Sequence, residues 1–162
     1  MAIQEGDTLP AATFVRVGAD GPEEVELGSL TRGRKVVIFA VPGAFTPTCH
    51  SAHVPSFVRT RDGFAEKGID AIYCVAVNDP FVLDAWAEDT GAKAAGIAML
   101  GDPECRFTAE IGMEFDAPPV GLIRRSKRYA MVVEDNRVVS FHPETARGTC
   151  EVSGGEALLA TL

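Results

Sequence analysis

KVVIFAVPGAFTPTCHSAHVPSF, residues 35–57, is the stretch on which the reading of this chain turns. Its opening run, 35–41, is apolar and rich in β-branched side chains, the pattern of a strand buried on both faces. Pro42 and Gly43 stop the run. After Cys49, residues Val54, Phe57, Val58, Arg61, Phe64 and Ala65 recur at helical spacing, and Gly68 closes that helix.

Working toward the C-terminus, IDAIYCVAV (69–77) predicts a second central strand. Asp79 and Pro80 supply an N-cap and a first-turn proline for a helix whose apolar face is Phe81, Val82, Ala85 and Trp86. Phe81 and Trp86 are expected in the core. IAML (97–100) predicts a short strand. Asp102-Pro103 repeats the cap-and-proline signal for a helix through Ile111, which puts Cys105 in its first turn. RYAMVVED (128–135) and RVVSFH (137–142) flank Asp135-Asn136, a tight hairpin turn. Ser153 or Gly154 precedes a short amphipathic helix carrying Leu158, Leu159 and Leu162. Strands alternating with helices predict an α/β domain, with the hairpin adding antiparallel strands. A thioredoxin-like fold, a central mixed sheet flanked by helices, fits this order as one domain over 1–162; other small α/β folds stay open.

Composition agrees. The chain has 162 residues, 46% of them hydrophobic, with 16 glycines and 10 prolines spread along it. That is enough for one domain with a core and argues against low complexity. A formal net charge of -8 argues against nucleic-acid and anionic-membrane partners. No apolar run approaches the length of a membrane span, and the N-terminus lacks the pattern of a signal peptide, so a cytoplasmic protein is expected. The 4 cysteines, at positions 49, 74, 105 and 150, form no CxxC pair and do not cluster with His50, His53 or His142. Neither a metal site nor a disulfide framework is expected, and each cysteine is either a small buried residue or a chemical group.

Cys49 stands between a buried strand and a helix, at the edge where open α/β sheets present their sites. In a first helical turn, free backbone N–H groups and the positive end of the helix dipole both favour a thiolate. Thr46 is placed to hydrogen-bond the sulfur or a ligand oxygen, and Pro42 and Pro47 stiffen the loop. A cysteine at such a junction is also often merely packed. Phosphatase chemistry does not fit, because CHSAHVP has neither glycines nor an arginine close behind the cysteine. A papain-like pair would need a histidine base with an orienting partner. His50 and His53 show none and read as helix-surface residues.

PGAFTPTC with HSAHVPSF resembles the peroxiredoxin active-site loop, a proline, three residues, a threonine, two residues and a cysteine: here Pro42, Thr46 and Cys49. His53 and Pro55 after it resemble the type II, or atypical, branch. The family's distant arginine precedes an aromatic in a strand, which RSKRYAMVVED places at Arg128. VAVNDPFVLDAW and GDPECRFTAEIG extend the likeness over nearly the whole chain. The resemblance implies a thiol peroxidase. Cys49 would attack a hydroperoxide and become a sulfenic acid, with Arg128 and Thr46 orienting the peroxide and Pro42 shielding the sulfur. Hydrogen peroxide and organic hydroperoxides are the implied substrates. Glutathione with glutaredoxin, or thioredoxin, is the implied reductant, no cofactor is implied, and a homodimer is expected. Arg124 and Arg125 read as solvated neighbours.

Two cysteines are candidates to resolve the sulfenic acid. Cys150 sits in a polar, glycine-containing loop near the resolving position of the atypical two-cysteine members, but GTCEVSGGEALLATL resembles the one-cysteine ending instead. Cys74, in mid-strand, is expected to be buried. A thiol–disulfide oxidoreductase is the rival reading; it would want a second cysteine where Thr46 stands. A non-catalytic binding protein of the same fold is the other.

Overall fold

The computed structural model describes residues 2–162. A hairpin comes first, β1 (Thr13–Gly18) and β2 (Gly21–Glu26), followed by a helical turn, α1 (Leu27–Thr31). No expected element covers this hairpin. Only Val25 of β2 is buried, and Glu23, Glu24 and Glu26 face solvent, so no apolar run marks it. Next come β3 (Lys35–Ala40), a π-helical turn (Cys49–His53) that leads into α2 (Val54–Glu66), β4 (Ala71–Ala76), α3 (Pro80–Thr90) and β5 (Ala98–Gly101). After α4 (Arg106–Glu110), a separate small hairpin is formed by β6 (Glu114–Ala117) and β7 (Leu122–Ser126), joined by a 3-10 turn (Pro118–Val120). The chain ends with β8 (Tyr129–Glu134), β9 (Arg137–Pro143) and α5 (Gly155–Leu159).

The main sheet has 7 strands in the order β2-β1-β5-β4-β3-β8-β9. β3, β4 and β5 are parallel; β8 runs antiparallel to β3, and β9 to β8. This is the thioredoxin-like α/β architecture, a mixed sheet with helices on both faces. The apolar run of β3 has its reason here. Val37 and Phe39 pack with Phe57, Phe64, Trp86 and Leu158 on one face, while Val36 and Ile38 pack with Phe14, Leu27 and Phe107 on the other. Asp135 and Asn136 both adopt positive φ, 47° and 66°, the turn expected between β8 and β9.

Two expectations need correction. Trp86 is fully buried as expected, but Phe81 is 64% exposed; the buried stripe of α3 is Leu83, Trp86 and Ala87, so the apolar face is turned away from Phe81 and Val82 while keeping Trp86. Cys105 is not in a first helical turn. It is the N-cap of α4 in a left-handed conformation, φ 60°, and Pro103 lies outside the helix. Asp102 still caps, but from further back: its carboxylate accepts the N–H groups of Phe107 and Thr108 at 3.3 and 2.9 Å. By contrast Asp79 caps α3 as expected, accepting from Phe81 and Val82 at 2.9 Å each.

Placement of the C-terminal segment depends on one glycine. A Cβ on Gly155 would collide with the Ser56 carbonyl and the Thr60 hydroxyl. Its absence lets α5 close on α2, and this contact holds residues 153–155 beside the first turn of α2, directly after His53.

Candidate active site

β3 ends at the carboxyl edge of the parallel strands, and the chain turns there through Pro42 and Gly43, both buried. The turn is braced from the next loop, where Asn78 Oδ1 accepts the Ala44 N–H at 3.0 Å. Residues 47–48 are already helical, and Cys49 opens the π turn, whose widened ring is closed by the Val54 N–H donating to the Cys49 carbonyl. The Cys49 side chain is fully buried. The Thr46 hydroxyl lies 2.8 Å from the Gly43 carbonyl oxygen and 2.8 Å from Cys49 Sγ. It has one proton for two acceptors. It donates to sulfur when sulfur is a thiolate, and to Gly43 when sulfur itself carries a proton.

Arg128 reaches the same sulfur from the start of β8, because Tyr129 pairs with Ala40 at the end of β3. The arginine is 2% exposed. Its Nη2–H donates to Cys49 Sγ at 3.1 Å and to the Arg147 carbonyl at 3.3 Å. Its Nη1–H donates to His53 Nδ1 at 2.8 Å. The fourth expected member, Pro42, lines the same hollow as Thr46 and Arg128. Pro42, Thr46, Cys49 and Arg128 are therefore brought together, although Arg128 is 79 positions from Cys49.

His53 is the residue that the sequence reading misplaced. It is fully buried rather than on the helix surface. Its Nδ1 accepts from Arg128 and its Nε2–H donates to the Ser153 carbonyl at 2.8 Å, which fixes one neutral tautomer. Burial, with the Arg128 guanidinium beside it, pushes its pKa down to about 3. The folded value lies below the unfolded one. The unfolded chain therefore binds a proton that the native state refuses, and stability falls as pH drops from about 6.5 toward 3. Urea unfolding at pH 7 and pH 4.5 should show His53→Gln losing roughly 2–3 kcal/mol less than the wild type over that step. Equal losses in the two proteins would refute this account of His53. His50 is different: half-buried, its Nδ1 accepts the Trp86 indole N–H at 3.0 Å.

Beyond β9 a strap crosses the site. Burial raises the Glu144 pKa, but hydrogen bonds outweigh it and hold the carboxyl below its ordinary range. Glu144 accepts the Val152 N–H at 2.8 Å, the Ser153 N–H and hydroxyl at 2.7 Å each, and the Thr149 hydroxyl at 3.2 Å. The Thr48 hydroxyl donates to the Gly148 carbonyl at 3.2 Å. Cys150 lies half-buried in this strap, its thiol pushed up by burial and pulled back by Arg128. Cys74 lies in β4 opposite Phe39, in the same core as Cys49. Burial and the nearby Cys49 push its thiol well up. Burial, with Glu114 and Asp102, also raises Cys105, to about 11. Among the described residues, no three His, Cys, Asp or Glu side chains are placed to hold a metal ion.

Arg124 is exposed and pairs with Glu114 at 3.3 Å, as a solvated neighbour should. Arg125 is half-buried, and its Nη1–H donates to the Pro42 carbonyl at 3.4 Å. No local pattern announced that contact, since it depends on the β6–β7 hairpin folding back over the loop.

A family model described as Redoxin matches residues 4–159. The chain is 43% identical over 164 residues to "Peroxiredoxin-2E-2, chloroplastic" of Oryza sativa subsp. japonica, covering 99% of this chain and 72% of that protein. It is 39% identical to "Peroxiredoxin-2C" of the same organism, covering 97% of this chain and 96% of that one. Among solved structures, reduced Prx3 of Vibrio vulnificus in complex with H2O2 superposes with a TM-score of 0.92 at 41% identity, over 98% of each chain.

Proposed function

This chain belongs to the peroxiredoxin family, fits its type II branch and is a thiol-dependent peroxidase, and on that premise we propose that Cys49 is the peroxidatic residue. One observation carries the assignment: a buried sulfur held between the Thr46 hydroxyl at 2.8 Å and the Arg128 guanidinium at 3.1 Å. The Cys49 thiolate attacks the terminal oxygen of a hydroperoxide. An S–O bond forms as the O–O bond breaks, and the leaving oxyanion takes a proton to depart as water or an alcohol. Cys49 remains as a sulfenic acid. Negative charge spreads from sulfur over both oxygens in the transition state. Arg128, whose buried Nε–H has no partner among the described residues, has donors to offer that charge. Thr46 orients the peroxide, Pro42 walls off water, and His53 fixes the guanidinium without adding a second cation.

An external thiol then attacks the sulfenic sulfur and expels water, and a second thiol releases Cys49 from the mixed disulfide. Glutathione with glutaredoxin, or thioredoxin, is the reductant we propose. A second reading has Cys150 as the first of these thiols, which leaves an internal disulfide for thioredoxin. Its support is that the strap carrying Cys150 meets the guanidinium that holds Cys49: Arg128 Nη2–H donates both to the Arg147 carbonyl at 3.3 Å and to Cys49 Sγ at 3.1 Å. Cys74 is the weaker candidate, because it would have to leave a central strand. We read the chain as one domain. We also propose a cytoplasmic homodimer, supported by free cysteines of the kind reducing compartments keep and by exposed Phe45 and Phe81.

Intact mass after one equivalent of hydroperoxide tests the chemistry. The Cys150→Ser protein should gain one oxygen atom, at Cys49. If Cys150 resolves, the wild type should instead lose two hydrogen atoms. No change in mass in either protein would sink the assignment of Cys49.

A further inference from the structure

Between β9 and α5 the strap has no regular structure, and residues 145–148 of it are exposed. A segment with so little buried apolar surface is not held in one place by packing. Yet two of its carbonyls serve the site. The Arg147 carbonyl accepts Arg128 Nη2–H at 3.3 Å, and the Ser153 carbonyl accepts His53 Nε2–H at 2.8 Å. The packing of α5 on α2 fixes Gly155; the peptide units before it are fixed by Glu144. Glu144 is itself anchored beside the arginine, its N–H donating to the Arg128 carbonyl at 3.0 Å. Its Oε2 accepts the Val152 N–H at 2.8 Å and the Ser153 N–H and hydroxyl at 2.7 Å each, and its Oε1 accepts the Thr149 hydroxyl at 3.2 Å. One carboxylate thus ties the far end of the strap back to its beginning.

We propose that Glu144 is a positioning residue of the peroxide step: it holds the strap carbonyls on the Arg128–His53 pair and so keeps the guanidinium aimed at Cys49. The inference rests on the peroxidase reading above. Its path is continuous, from Glu144 to Ser153, from the Ser153 carbonyl to His53, from His53 Nδ1 to Arg128 Nη1–H at 2.8 Å, and from Arg128 Nη2–H to Cys49 Sγ at 3.1 Å. A carbonyl only accepts and a guanidinium only donates, so the imidazole between them must carry its proton on Nε2. If the Ser153 carbonyl moves away, the proton is free to sit on Nδ1 instead. A donor would then face the donor Nη1–H, and the guanidinium would be pushed off its line to the sulfur. Small displacements of a group that meets developing charge are costly, up to about 10²-fold for roughly 1 Å.

The test joins two readouts on the prereduced full chain at pH 7: kcat/KM for H2O2, and the imidazole ¹⁵N signals of His53, assigned with His53→Gln, which report the tautomer. The wild type should show the Nε2–H form alone. Glu144→Ala should give a mixture of tautomers and lower kcat/KM by about tenfold or more. Glu144→Gln should keep the single tautomer and stay within about threefold of the wild type. Its amide oxygen can take the donors of residues 152–153, and its amide N–H can donate to the Thr149 hydroxyl, which then turns to the Ala146 carbonyl at 2.9 Å. Should Glu144→Ala not fold, Glu144→Asp carries the same expectation, since its carboxylate is one methylene too short to reach. A folded Ala or Asp variant with an unchanged tautomer or wild-type kcat/KM overturns the inference and leaves the peroxidase reading intact. Glu144→Gln as slow as Glu144→Ala would show that the charge, not the tie, matters, and likewise overturns it. A wild type that consumes no hydroperoxide overturns both readings, whatever the tautomer.

Discussion

Prereduced Cys49→Ser protein should consume hydroperoxide at least about 10⁴-fold more slowly than the wild type, because removing a nucleophile on which the other groups act forfeits their contributions as well. The substitution exchanges sulfur for a smaller oxygen at a fully buried position, with Thr46 and Arg128 still there to hydrogen-bond it. The fold should therefore persist. The remaining thiols offer little background. Cys74 and Cys105 are buried and pushed up, and Cys150 is raised as well. Stopped-flow peroxide consumption, with circular dichroism as the folding check, measures the loss. A folded variant retaining a tenth of wild-type turnover would show that the chemistry lies elsewhere.

Arg128→Met should lower kcat/KM for hydroperoxide by about 10²–10³-fold, the usual cost of losing one preorganised donor to developing negative charge. Arg128→Lys should recover little of it. One ammonium cannot span Cys49 Sγ, His53 Nδ1 and the Arg147 carbonyl, which the planar guanidinium reaches together. A second readout separates this from a general loosening. Arg128 is one of the causes that hold the His53 pKa down, so Arg128→Met should let it rise and flatten the acid loss of stability. Full activity in Arg128→Lys would show that only charge matters and that the fork geometry does not.

The parts of the molecule legible in the sequence were those with strong local causes. β3 and β4 announced themselves as unbroken apolar runs because both of their faces are covered. α3 was marked by Asp79 and Pro80, and the β8–β9 hairpin by Asp135-Asn136. At the site, the strand–helix junction pointed to Cys49 and the short loop to Thr46 and Pro42, whereas Arg128 entered only through the family resemblance. The rest had no local signature. β2 is an acidic edge strand, and β6 and β7 are short and half-exposed. Phe81 misled because an apolar residue near a helix start does not say which face turns inward. His53 misled more instructively. A histidine early in an amphipathic helix belongs on the surface unless something buried needs an uncharged acceptor. Here that something is Arg128, whose position next to His53 exists only after β8 has paired with β3.

The same dependence has a consequence for how the protein is made. Cys49 and Arg128 are 79 positions apart, and the strand that delivers the guanidinium lies late in the chain. A chain emerging from the ribosome completes β3, the π turn and α2 long before β8 exists to close against them. Contacts at such separation form late because their loop entropy must be met first. Until then the cysteine has its threonine but not its arginine. The full set of hydrogen bonds around the Cys49 sulfur therefore arrives only together with the finished sheet.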